Sequence, residues 1–351
     1  MRRIKNIFLL FFILLSLCLN LSCELTNNQS PGRIILIGVG LDYLNEDDEV
    51  NPDINGNAGL ENPPNDIREV AYTLSILASE SGKNFLFIPF IQQIGITTPD
   101  QNYPNDDNLE LLFDNLKDRE NISANVYDGD FDREEFNLTS EYSTFGNKIT
   151  NFEPLSENDI VIFYYSGHGN EYSNGDLRLP KEKNEQDRES VKLSWLYDKL
   201  TSLDSKILAV LDSCGSGSFI SESSTTINSV TTSFVDTGPA LFEQYFNYES
   251  DNIVRDNLYV LSSTKAGKLS FDTRTLGVNH PNSIFSYYFL RSLGYENESE
   301  TEIGTVTDNI PSLVNGKITI DNIYGYIKDN ISRQEPLIEG NRKSLVLFNI
   351  N

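Results

Sequence analysis

Two short segments of this chain carry side chains able to do acyl-transfer chemistry. One reads Tyr164-Tyr165-Ser166-Gly167-His168-Gly169, the other Asp212-Ser213-Cys214-Gly215-Ser216-Gly217. A thiol attacks a carbonyl well only as thiolate, and a neighbouring imidazole promotes that ionisation and then handles the proton. The tetrahedral oxyanion needs donors, and the backbone N–H groups of Gly169 and Cys214 are candidates because glycine exposes its amide. A cysteine alone is most often a small buried hydrophobe, and a histidine alone more often a structural hydrogen-bonder. The combination counts for more: each follows a strand-like run, glycines flank both, and the chain has only two histidines. His280 is the rival base, but it precedes Pro281 in a loop before a helix-like segment, which suits a helix start.

Both segments need strands to deliver them. Asp159–Tyr165 (DIVIFYY) and Lys206–Leu211 (KILAVL) are buried-strand runs, and catalysis in open α/β sheets gathers at the carboxyl ends of such strands. Arg33–Leu41 (RIILIGVGL), Phe85–Ile91 and Leu258–Ser262 read the same way. Helical spacing predicts a helix capped by Asn65 through DIREVAYTLSILA, and others over residues 107–117, 139–152, 193–203, 283–293 and 320–331. Residues 42–64 and the Ser/Thr-rich stretch 216–236 read as loops. Strands alternating with helices give an α/β sandwich with a largely parallel sheet.

Among 351 residues, 52 are Asp or Glu and 27 are Lys or Arg, a net charge of −25. That balance argues against nucleic acid or an anionic membrane surface as the main partner and is compatible with cationic substrates. Hydrophobic residues at 38% and aromatics at 11% describe a globular chain rather than a disordered one. Three cysteines exclude a disulfide-rich scaffold and a multi-cysteine zinc site. Asp53-Ile54-Asn55-Gly56 faintly resembles a calcium loop, but Pro64 stands where its last Glu ligand would be. No metal or cofactor is expected from these residues.

At the start of the chain, Arg2, Arg3 and Lys5 precede an apolar run from Ile7 to Leu19, the pattern of an export signal. The run is short for a transmembrane helix. It ends at Leu19-Asn20-Leu21-Ser22-Cys23, which resembles a bacterial lipoprotein processing site, with Asn20 where Leu or Val is usual. Leu17 is too bulky for Cys18 to be the processed residue. The expectation is a signal over residues 1–22, lipid on Cys23, a tether over 23–32, and export to the cell envelope, on its periplasmic side or the cell surface. Cys214 is then the one remaining thiol.

The segment YYSGHG, with Leu177–Pro180 (LRLP) after it and VLDSCGSGS later, resembles the caspase-like cysteine peptidases, and among them the metacaspase and bacterial caspase-like branch. Clostripain-like peptidases are the nearest neighbouring alternative. The resemblance runs from Arg33 to Ile350 and takes in NPPNDIREVAYTL, NLYVLSSTKAG, SIFSYYFLRSL and NGKITIDNIYGYI. It implies a three-layer sandwich around a six-stranded, mostly parallel sheet. A large subdomain would span about 33–215 and a small one about 255–350. It implies Cys214 as nucleophile, His168 as general acid and base, and the Gly169 and Cys214 amides as oxyanion hole. Metacaspase pocket positions match Asp66, Ser166 and Asp212, and two carboxylates in one pocket favour Arg or Lys, with bidentate pairing favouring Arg. Asp66 also suits a charge at a helix N-terminus, and Asp212 a hydrogen-bonded structural carboxylate. Pro63 replaces a pocket cysteine. Ser221 stands where a calcium-binding Asp would lie, which puts calcium dependence in doubt.

The expected function is therefore a cysteine endopeptidase cutting protein or peptide substrates after Arg or Lys, with no nucleic-acid partner. The alternative is a catalytically silent caspase-like binding module on the envelope. Gly215 to Val254 contains no Lys or Arg. Self-processing by such an enzyme would fall at Arg255 or at Lys181, Lys183 or Arg188, if it occurs at all.

Overall fold

The computed structural model describes residues 32–43, 60, 62–132, 136–137, 141–169, 175–180, 190–219, 257–265, 267–271, 273, 282–297, 299, 302–340 and 345–350. Arg33–Asn351 form one compact unit. The signal-like segment with Cys23, the 46–57 stretch, Ser221, His280, Arg255 and residues 181–188 lie outside the described residues.

The first half of the chain runs β1 (Arg33–Leu41), α1 (Pro63–Glu80), β2 (Asn84–Gln92), α2 (Asp106–Asp118), β3 (Val126–Tyr127), β4 (Lys148–Ile149), β5 (Ile160–Ser166), β6 (Leu177–Arg178), β7 (Ser190–Val191), α3 (Leu193–Thr201) and β8 (Lys206–Asp212). The second half runs β9 (Leu258–Ser262), α4 (Ile284–Ser292), β10 (Tyr295–Glu296), β11 (Thr305–Val306), β12 (Leu313–Val314), β13 (Lys317–Thr319), α5 (Ile320–Asn330), β14 (Leu337–Gly340) and β15 (Val346–Asn349). The central sheet has the order β14-β9-β8-β5-β1-β2-β3-β4. Its middle five strands are parallel, and β14 closes one edge antiparallel to β9. The five parallel strands are the runs the sequence marks out; β14 is not among them and completes the six that the family resemblance implies, in a sheet of eight. The two-residue strands β3 and β4 extend the far edge, too short to leave an alternating pattern.

The sheet is buried on both faces, which is why its strands read as unbroken apolar runs. In β1, Ile34 and Leu36 point to a core shared with α1, α4 and α5, while Ile35, Ile37 and Val39 point to one shared with α2 and α3. This is a three-layer sandwich. Among the described residues no helix is long and apolar enough to cross a membrane.

Two expectations change. Helix α1 begins at Pro63, with Asn62 rather than Asn65 at the cap, because Pro is tolerated in a first turn whose N–H groups have no helical partner. The stretch 139–152 is not a helix where it is described. It holds a short 3-10 turn at Tyr142–Thr144 and strand β4. Its helix-like apolar spacing arises because Tyr142 and Phe145 plug the core from a loop. The Tyr142 hydroxyl sits 2.9 Å from both the N–H and the carbonyl oxygen of Ile91.

Helix α1 lies unusually close to β1, and two glycines permit it. A Cβ on Gly38 would meet Ile67 Cγ2 at 2.5 Å, and one on Gly40 would meet the Pro63 carbonyl oxygen at 2.7 Å. The contact at Gly40 is with backbone, which cannot swing aside, and it sets the height of the turn that carries Asp66. Gly40→Ala should therefore cost about 1–3 kcal/mol of stability. The check is a lowered urea midpoint at unchanged slope; an unchanged midpoint would contradict this packing.

Candidate active site

Strands β5 and β8 are adjacent and parallel, with Ser166 opposite Asp212. His168 and Cys214 each lie two residues beyond those paired ends, at the same carboxyl edge. The Gly167 N–H donates to the Asp212 carbonyl at 3.2 Å, so the two loops stay side by side as they leave the sheet. Gly169 lies hard against the second loop: a Cβ there would collide with the Cys214 carbonyl oxygen and the Ser213 side chain.

The backbone of His168 is clamped from both sides. Its N–H donates to the Tyr43 hydroxyl at 2.7 Å. Its carbonyl accepts from the Tyr165 hydroxyl at 2.7 Å and from the Arg178 N–H at 3.0 Å. The imidazole packs on the Tyr43 ring, with centroids 4.6 Å apart and planes tilted by 33°. Tyr43 is itself held in the left-handed region, at φ 59°, with its N–H on Gln92 Oε1 at 2.7 Å. Gly169 bridges Leu177 in the pattern closed by the Arg178-to-His168 bond. In that antiparallel pattern the bridged residue's own N–H points away from the partner strand, leaving the Gly169 amide for other work.

Cys214 is half-buried, and its sulfur accepts the Ser270 N–H at 3.4 Å. A donor on sulfur favours the thiolate.

Asp66 and Asp212 are both buried beside this edge. Asp66 accepts from the Ser166 hydroxyl at 2.7 Å, from Asn282 Nδ2 at 3.0 Å and from the Ser283 N–H at 3.2 Å. Asp212 accepts from the hydroxyls of Ser270 and Ser286, each at 2.8 Å, from the Ser286 N–H at 3.2 Å, and from the Ser283 hydroxyl. Ser283 caps α4, so that helix aims its positive end at Asp212. Burial pushes the Asp66 carboxyl well above the usual range, and the charge of Asp212 pushes it further, against its three hydrogen bonds. Burial likewise raises Asp212, against the serine donors. Among the described residues no Lys or Arg pairs with either carboxylate.

A caspase-domain family model matches residues 102–344. The chain belongs to the caspase-domain family of cysteine peptidases. A caspase-1 from Spodoptera frugiperda is a solved structure similar to it at 11% identity, covering 91% of this chain and 90% of that one, with a TM-score of 0.40. No curated protein gives a significant match.

The six described site residues singled out from the sequence, His168, Gly169, Cys214, Asp66, Ser166 and Asp212, lie at this edge, with Ser166 bonded to Asp66 and paired across the sheet with Asp212. Tyr43, Ser270, Asn282, Ser283 and Ser286 were not singled out. The helix-start position of Ser283 was the one signal available.

The raised carboxyls give a stability prediction. A folded-state pKa above the unfolded one means the native state holds the proton more tightly, so stability falls as pH rises from the ordinary Asp value through the raised one. Asp66→Asn keeps the acceptor for Asn282 and Ser283 and offers Ser166 a donor in place of an acceptor. It should melt higher than the parent at neutral pH, and the gap should close in acid. Thermal melts across pH check this; a variant destabilised at neutral pH would contradict it.

Proposed function

We propose that this caspase-family protein is an exported endopeptidase that cuts after Arg or Lys, with His168 and Cys214 as its catalytic dyad. The observation that carries the specificity is the pair Asp66 and Asp212, buried together with polar partners and, among the described residues, no cation. Holding two carboxylates in a dry site is costly, and a guanidinium or ammonium from substrate removes the repulsion. A guanidinium also pairs bidentately with carboxylate, which favours Arg.

In the proposed reaction the His168 imidazole takes the Cys214 thiol proton, and the sulfur forms a bond to the scissile carbonyl carbon. The oxyanion is met by the Gly169 and Cys214 N–H groups. Collapse breaks the C–N bond, and the imidazolium gives its proton to the leaving amine. Water, deprotonated by the same imidazole, then hydrolyses the thioester and regenerates the thiol. Tyr43 supports this cycle by fixing the ring that serves both as base and as acid. At the amino end, the proposal includes cleavage before Cys23 and its lipidation, placing the enzyme on the envelope; a diacylglyceryl cysteine at the mature N-terminus tests that step by mass.

The test of the reaction is turnover of fluorogenic peptides that differ only in the residue before the scissile bond. Arg and Lys peptides should be cut, and Asp and Leu peptides not. Cys214→Ala and His168→Ala should each abolish cleavage while the fold survives. Asp212→Asn should lose about 3 kcal/mol in kcat/KM for Arg, roughly two orders of magnitude. Cleavage surviving in Cys214→Ala would overturn the dyad, a preference for Asp would overturn the pocket, and no turnover of any peptide would favour a silent binding module.

A further inference from the structure

Ser270 touches both halves of the site. Its backbone N–H meets the Cys214 sulfur at 3.4 Å, and its hydroxyl donates to Asp212 Oδ1 at 2.8 Å. From the other side Gln334 Nε2 donates to the same hydroxyl oxygen at 3.0 Å. A serine hydroxyl has one proton, and the Gln334 amide brings its own, so the serine proton is committed to Asp212. The flanking backbone is anchored as well. The Lys268 carbonyl accepts from the Gly215 N–H at 2.8 Å, and the Phe271 carbonyl accepts from the Ile284 N–H at 2.8 Å. One residue thus connects the pocket carboxylate to the nucleophile through two hydrogen bonds.

We propose that Ser270 is a positioning residue that makes the reactivity of Cys214 depend on a cation seated beside Asp212. The proposal rests on reading Asp66 and Asp212 as the pocket for a basic side chain. With that pocket empty, burial raises the Asp212 carboxyl against its serine donors, and a carboxyl that holds its proton more tightly is a weaker acceptor for the serine. A guanidinium beside the pair keeps Asp212 ionised. The Ser270 hydroxyl bond then becomes charge-assisted, about twice as strong as a neutral one. Ser270 is thereby fixed, and its N–H is held on the sulfur, where it favours thiolate. Coupling of this kind is reciprocal: whatever ionises the thiol also tightens cation binding. The thiol is at its most reactive when the correct side chain has arrived.

The experiment is alkylation of Cys214 in the full chain by iodoacetamide at one fixed pH, followed by the mass of the Cys214 peptide, with and without ethylguanidinium. Binding of ethylguanidinium is measured separately by calorimetry. In the parent protein the bound cation should speed alkylation about tenfold, the worth of one hydrogen bond to a charged group. Ser270→Ala should still bind the cation but show no acceleration, and Ser270→Thr, which keeps a hydroxyl, should restore it. Ser270→Gly serves as a second hydroxyl-free variant should the alanine form fail to fold. Binding without acceleration in the parent, or equal acceleration in the hydroxyl-free variants, overturns the link and leaves the pocket standing. No binding to the parent overturns the pocket and the link together.

Discussion

Two buried carboxylates with no cation beside them among the described residues set the terms for the carboxyl edge of this sheet. Asp66 and Asp212 come from different elements, a helix and a strand, and the fold holds them where each raises the cost of the other's charge. Such an arrangement persists only when the surroundings over-determine it. Here the surroundings are a ring of donors from Ser166, Ser270, Asn282, Ser283 and Ser286, and the amino end of α4. The donors keep each carboxylate in place but bring no compensating charge, which is the role the proposed function gives to a basic substrate side chain.

The rest of the scaffold serves this placement. Gly38 and Gly40 let α1 sink onto β1 and bring Asp66 down to the strand ends. Parallel pairing of β5 with β8 delivers His168 and Cys214 in register, and the near contact of Gly169 with the Cys214 backbone sets how far apart their loops stand. Tyr43 and Tyr165 clamp the His168 backbone. Ser270 then bonds to both Asp212 and the Cys214 sulfur, which puts carboxylate and thiol in one hydrogen-bonded network.

Much of this was legible in the sequence because burial on both faces writes continuous apolar runs. The five parallel strands stand out as such runs, and the two glycine-flanked motifs follow two of them directly. The segment 139–152 misled because Tyr142 and Phe145 are spaced like a helix face but enter the core from a loop, and the two-residue strands β3 and β4 carry no pattern. Asp66, Ser166 and Asp212 stand out as expected pocket positions through the family resemblance rather than through spacing. Their supports were not visible. Asn282 is 216 positions from Asp66 and Ser270 is 58 from Asp212. An isolated Asn or Ser has no periodicity to announce such a contact, which exists only once the chain is folded.

The central claim is that Asp66 and Asp212 form a strained acidic pair relieved by a cation. The direct measurement is a carbon-13 titration of the Asp carboxyl signals, with Asp66 and Asp212 assigned by their loss in the two Asn variants, before and after ethylguanidinium is added. The account predicts that both carboxyls titrate above the ordinary Asp range in the unliganded protein and move downward when the cation binds. Two carboxyls that titrate in the ordinary range, and stay there with the cation present, would contradict it.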